Sequence, residues 1–135
     1  MGRLRETSVE LEVPLYDVDV LGVVWHGHYY KYLEAARAAL LRSCDLDAGD
    51  LIGPRYLFFV IESRCRHSHP LRYRDRARVT AWVRDLQHRI FVAYEIQNLT
   101  AGRRAARGHT ILAITDRERK LLLETPDEIR QRLLA

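Results

Sequence analysis

Over residues 8–16 apolar and polar positions alternate, with Val9, Leu11, Val13 and Leu15 on one parity and Ser8, Glu10 and Glu12 on the other. A period of two belongs to a strand with one buried face, so this segment predicts a half-buried strand. The loop DVDVLGVVW follows, and the period then changes. Tyr29, Leu33, Ala36, Leu40 and Cys44 recur at intervals of four, three, four and four, which puts them on one stripe of a long helix. Glu34 and Arg37 stand three apart on its flank, a spacing that favours an ion pair. The turn formers of residues 45–54, DLDAGDLIGP, end the helix.

Beyond residue 55 the period of two returns. Strands are expected over 56–69, 76–84, 89–98 and 104–115, broken at Pro70, near Gln87 and over 100–103. The alternation is clearest at Ile90, Val92, Tyr94 and Ile96 and at Val79, Ala81 and Val83. A short last strand is expected at 121–123, and a helical turn after Pro126. One strand, one long helix and a run of strands predict an α+β fold with an antiparallel sheet of about five strands. No repeat or linker divides it, so residues 1–135 form a single domain. A helix of about 16 residues is only about 24 Å long and covers one sheet face, leaving edges and the other face for a second copy.

Composition excludes several classes. With 47% apolar and 30% charged residues in 135, the chain is neither disordered nor fibrous. Cys44 and Cys65 form no CxxC pair and no disulfide framework, which fits a reducing compartment. The N-terminus has no apolar core, Glu6 stands where a myristoylation signal needs Ser or Thr, and no apolar run is long enough for a membrane span. A cytoplasmic protein is expected. The net charge of +4 comes almost wholly from arginine and points to an anionic partner. Residues 64–78, RCRHSHPLRYRDRAR, hold six Arg and two His against one acid. This strip reads either as a solvated strand edge or as a positive rim for phosphates. Only Tyr73 is interleaved with it, which speaks against nucleic acid.

The candidate chemistry sits in residues 16–37, YDVDVLGVVWHGHYYKYLEAAR. Two acids, a glycine and two histidines stand in the loop that feeds the helix, whose first N–H groups can polarise a carbonyl. Asp19 has a structural alternative as a turn or cap residue, and Asp17, two residues earlier, reads more simply as a turn residue. The H-x-H pairs His26/His28 and His67/His69 lack a carboxylate at a spacing that would complete a metal site, so no metal is expected. No G-x-S-x-G, nucleophilic cysteine motif or phosphate loop is present, and no cofactor is implied.

The run D-x-x-G-V-V-x-H-x-x-Y, carried by Asp19, Gly22, Val23, Val24, His26 and Tyr29 and followed by Y-L-E-A-A-R with Glu34 and Arg37, resembles the hotdog-fold acyl-CoA thioesterases. Within them it is most similar to the 4-hydroxybenzoyl-CoA thioesterase branch and its Tol-Pal-associated relatives. The resemblance implies a sheet wrapped around the long helix, a homodimer or homotetramer, and a site at the dimer interface. It implies Asp19 as the catalytic carboxylate, acting as nucleophile or as base for water, and the His26 backbone N–H as the donor to the thioester oxygen. Gly22 would let the backbone approach the acyl group. Val24, Trp25 and Tyr29 would line the substrate, and Arg89, in the turn 87–89, would meet the nucleotide part of CoA. Trp25 departs from the Tyr or Phe expected there. Another branch uses a helix-borne Glu as catalyst, and here the spacing of Glu34 to Arg37 favours a structural pair instead. The expected function is hydrolysis of an acyl-CoA to free acid and CoA. The alternatives are a non-catalytic module binding acyl-CoA or an acyl carrier protein, and a hydratase or dehydratase on the same fold.

Overall fold

In the computed structural model, which describes residues 2–47 and 56–134, the period-two segments become one antiparallel sheet. Its strands are Leu4–Glu12 (β1), Tyr56–His67 (β2), Arg76–Asp85 (β3), Ile90–Asn98 (β4) and Arg103–Asp116 (β5), in the spatial order β1-β3-β4-β5-β2. Between β1 and β2 runs the helix Tyr29–Ser43 (α1), and a second helix, Asp127–Leu134 (α2), closes the chain. One face of the sheet wraps α1, the hotdog arrangement that the resemblance implies.

The core follows the expected parities. Val79, Ala81 and Val83 from β3 and Ile90, Val92, Tyr94 and Ile96 from β4 are buried against α1, which presents Tyr29, Leu33, Ala36 and Leu40. Each such Leu or Val stabilises the fold by about 1.5–3 kcal/mol. The Leu46 N–H donates to the Leu41 carbonyl at 2.8 Å, closing a Schellman motif with Asp45 at φ 59° as the left-handed residue after the cap. This local geometry terminates α1 at the start of the expected turn; the remainder of that turn, residues 48–54, lies outside the described residues.

Four expectations shift. The first strand lies at Leu4–Glu12 rather than 8–16, because Pro14 has no N–H to donate to a ladder. Val9, Leu11 and Val13 do face the core, but Leu15 falls in a 3-10 turn, Leu15–Asp17, and is exposed. The segment 121–123 makes only a single bridge, Leu121 to Thr115, before α2. The turn after Pro126 extends to eight residues because Ile129 and Leu133 find a buried seat, with Asp127 and Glu128 suiting the positive helix end. Finally, Glu34 makes no ion pair with Arg37; the Arg37 Nη1 instead approaches the Tyr94 hydroxyl at 3.4 Å.

The face of the sheet turned away from α1 carries charged residues, among them Glu10, Arg78, Glu95, Arg107 and Arg64, together with Trp82, Phe91 and Ala93. Apolar side chains are exposed on the edge strand β2, at Phe59, Val60 and Ile61, and in the loop before α1, at Tyr16, Val20 and Leu21.

Candidate active site

The loop between β1 and α1 folds as a small hairpin. Val18 bridges Val24, the Asp19 N–H donates to the Val23 carbonyl at 2.9 Å, and the Gly22 N–H donates to the Asp19 carbonyl at 3.0 Å. Gly22 sits at φ 82°, a left-handed conformation that a side chain disfavours, so glycine is required by the turn itself. The Asp19 carboxylate accepts the Leu21 N–H at 2.8 Å and is half-buried at the hairpin tip. Asp19 therefore does serve a turn, through one of its two oxygens. Among the described residues it has no cationic partner.

The hairpin is pinned on both sides. The Val24 N–H donates to the Leu71 carbonyl at 2.8 Å, Val23 bridges Arg72, and the Trp25 N–H donates to the Asp17 carbonyl at 3.1 Å. Immediately after it comes the 3-10 turn His26–His28, which runs straight into α1. As the first residue of that turn His26 has no acceptor inside the helix for its N–H, and none is found for it among the described residues. The chain thus brings an exposed helix N-terminus and a carboxylate together in one ordered loop.

Trp25 and Tyr29 occupy different environments. The half-exposed Trp25 indole lies across Gly27, where an added Cβ would meet the ring at 2.2 Å, and touches the His26 and His28 rings. Tyr29 is buried, its ring edge-on to His67 at 4.4 Å, and burial pushes its phenol pKa up. Val24 is part of the hydrophobic core, so its side chain holds the loop to the sheet. Burial, reinforced by the nearby His26, keeps His67 below its ordinary 6.5.

Two grooves of about 300 and 260 Å³ run between α1 and β2; they share Glu34, Arg37 and Val60, and Tyr30 and Leu33 wall the second. Arg89 is elsewhere. It follows β3, whose first residue, Arg76, pairs with Glu12 at the loop end of β1, while its far end pairs with Leu4. A ten-residue strand, about 33 Å long, therefore separates Arg89 from the Asp19 hairpin of the same chain.

Two residues here escape sequence reasoning. Asp17, read as a turn residue, is 2% exposed and forms the anchor of the loop. Its partners, Lys31 and Tyr32, are fourteen and fifteen residues away, and no local spacing could have paired them. Gly27 likewise has no signal beyond its position next to Trp25.

Among the described residues no three His, Cys, Asp or Glu side chains converge on a point that could hold a metal, and no helix is long and apolar enough to cross a membrane.

Comparison with known proteins agrees with this architecture. A Synechocystis protein, sll0410, that carries the provisional name of an esterase is 29% identical over 132 residues, covering 94% of this chain and 78% of that one. A 1,4-dihydroxy-2-naphthoyl-CoA thioesterase from Synechocystis superposes with a TM-score of 0.83 at 22% identity, covering 95% of both chains. A gentisyl-coenzyme A thioesterase does so with a TM-score of 0.78 at 22% identity, covering 91% of this chain and 98% of that one. Residues 13–133, which include the whole hairpin, α1 and strands β2–β5, match the thioesterase-like superfamily, and the chain belongs to that family of thioester hydrolases.

Proposed function

We propose that the protein hydrolyses an acyl-CoA thioester to the free acid and CoA, with Asp19 as the reacting carboxylate and the His26 N–H as donor to the oxyanion. The observation that carries this reading is the ordered hairpin that carries Asp19 in the loop leading directly into a helix whose first N–H is unpaired. A thioester carbonyl is already activated, so one carboxylate and one preorganised donor suffice. In the base route, a water loses its proton to Asp19 as its oxygen bonds the carbonyl carbon. The tetrahedral oxyanion rests on the His26 N–H, and collapse breaks the C–S bond, the thiolate taking the proton back. In the nucleophile route, Asp19 itself bonds the carbon and expels the thiolate, and water then cleaves the anhydride. Gly22 allows close approach of the acyl group, and Trp25 and Tyr29 flank it.

A second copy completes this site. The open edge of β2, with its exposed Phe59, Val60 and Ile61, supports pairing into a dimer, and a tetramer is two such dimers. Arg89, a strand's length from Asp19 in its own chain, serves CoA phosphates only from the neighbouring subunit.

The test is release of free thiol from a panel of acyl-CoAs, which also separates hydrolysis from binding alone and from hydration of enoyl thioesters. Asp19→Asn should lower kcat by about a hundredfold or more. Single turnover in ¹⁸O-water leaves label in Asp19 only by the nucleophile route.

One observation favours a second reading. Glu34 is exposed, has no ion pair with Arg37, and borders the grooves between α1 and β2. In this reading Glu34 is the reacting carboxylate, and Glu34→Gln rather than Asp19→Asn abolishes turnover.

A further inference from the structure

The sheet face turned away from α1 carries a groove of about 510 Å³, walled by Arg64, Arg66, Arg84 and Arg107 and floored by Ala93 and Gly108. Two rows of residues cross it. Trp82, Ala93, His109 and Arg64 stand abreast on β3, β4, β5 and β2, and beside them stand Thr80, Glu95, Arg107 and Arg66. The small Ala93 makes the dip. Gly108 brings two strands into close approach: a Cβ there would meet the Arg64 carbonyl oxygen at 2.2 Å.

The charges in this groove are not balanced. Arg66 and Arg107 are direct cross-strand partners, a like-charge pairing that costs stability. Arg104 pairs with Glu95 at 3.8 Å and Arg3 with Glu6 at 2.9 Å, but Arg64, Arg66, Arg84 and Arg107 have no ion-pair partner among the described residues. Both nearby carboxylates are engaged, Glu95 also by Gln97 at 2.7 Å and Glu62 by His109 at 2.6 Å. The rest of the basic strip behaves differently. Arg74 pairs with Glu12, and Arg76 and Arg78 with Glu10. The fold thus neutralises Arg74, Arg76 and Arg78 against β1 and gathers Arg64 and Arg66 of the strip, with Arg84 and Arg107 from β3 and β5, unneutralised around a concavity. A local rule broken beside a cavity is the pattern of a functional site.

From this we infer that the groove binds a polyphosphate group, such as the linked phosphates of a nucleotide. Guanidinium groups form bidentate, charge-assisted bonds to phosphate oxygens, and the volume is that of a small-ligand site. A two-fold copy packed on this face would set the same unpaired arginines against themselves, which is repulsive. The positive surface also stops at the ion pairs of β1, so it lacks the stripe that a nucleic-acid backbone follows. The sheet lies between this groove and the Asp19 hairpin, and the inference holds whatever reaction that hairpin performs.

Trp82 lines the groove, and the second tryptophan, Trp25, stands in the hairpin loop, so a Trp25→Phe chain reports on the groove alone. Titration of that chain with inorganic pyrophosphate should give a saturable change in Trp82 fluorescence with one site per chain. The exposed Arg66→Gln/Arg107→Gln pair should weaken it at least about tenfold, Arg84→Gln should weaken it less, and Asp19→Asn should leave it intact. Absence of a saturable change at millimolar pyrophosphate, equal affinity in the double variant, or displacement by an oligonucleotide whose affinity grows with length would each overturn the inference. Two further arms identify the source. If ADP competes and the double variant keeps its KM for acyl-CoA, the ligand is a free nucleotide. If the KM rises for acyl-CoA but not for the matching acyl-pantetheine, the phosphates are those of the substrate.

Discussion

The Lys31 Nζ lies 2.7 Å from Asp17 Oδ1 while the neighbouring Tyr32 hydroxyl donates to Asp17 Oδ2 at 2.5 Å, so two successive residues in the first turn of α1 grip one buried carboxylate. The same Asp17 accepts the Trp25 N–H on its carbonyl. Both ends of the loop that carries Asp19 and His26 are therefore fastened to a single residue. Asp17 is a positioning residue.

Asp17→Asn keeps the size but removes the charge that Lys31 and Tyr32 address. The cost should be about 1–3 kcal/mol in stability, read as a lower urea midpoint. Because the loop is held through this residue, kcat should fall while KM for short acyl-CoAs changes little; Asp17→Glu should recover neither, since its extra methylene has no room in a site 2% exposed. A kcat equal to wild type would remove the positioning role.

Stability should fall as pH is lowered, in two stages. Burial alone would raise the Asp17 pKa, but the Lys31 and Tyr32 hydrogen bonds, with the charges of Lys31 and His28, outweigh it and hold Asp17 below 3.8. His67 is held below 6.5 by burial and by His26. Both groups bind fewer protons folded than unfolded, so the stability they contribute is complete above their unfolded pKa values and is lost as pH drops through the folded ones. Urea midpoints between pH 8 and pH 3 should decline gently below about 6.5 and steeply below about 4. In Asp17→Asn the steep limb should flatten, and in His67→Gln the gentle one.

Two glycines with equally crowded Cβ positions should behave oppositely. At Gly27 the obstacle is the half-exposed Trp25 ring, which can swing into solvent. Gly27→Ala should cost under about 1 kcal/mol yet red-shift Trp25 emission and raise KM. At Gly108 the obstacle is the Arg64 backbone, which is fixed in the β2–β5 ladder. Gly108→Ala should cost about 1–3 kcal/mol through overpacking. Thermal melts and emission spectra of the two variants decide this.

If Arg89 acts across a dimer, mixing two defective chains should restore activity. Combined Asp19→Asn and Arg89→Gln chains, refolded together, should regain about a quarter of wild-type turnover at low acyl-CoA concentration, because half of random dimers are mixed and one of their two sites is intact. Turnover no higher than the average of the separate variants would place Arg89 outside the site.

The sheet strands and α1 were legible within a few residues, because burial on one face imposes a period that local inspection can find. Leu15 was misplaced because Pro14 acts through a missing ladder bond rather than through hydrophobicity. The Glu34–Arg37 pair had ideal spacing, but Tyr94, which β4 brings across the core, lies closer to Arg37. The turn at Asp19 and Gly22 and the helix start at His26 are legible because both are local, so contiguous residues suffice to build them.

By itself the sequence determined the element order, the buried faces and the carboxylate-bearing loop at a helix start, each a matter of neighbours in the chain. Only the tertiary structure decided that Asp17 and not another polar residue anchors that loop, that Arg89 lies a strand's length from it, and that Arg74, Arg76 and Arg78 are paired while Arg64 and Arg66 join Arg84 and Arg107 in an unpaired groove. Those relations join residues from different strands and helices. Their distances are set by sheet register and helix packing, which no spacing along the chain encodes.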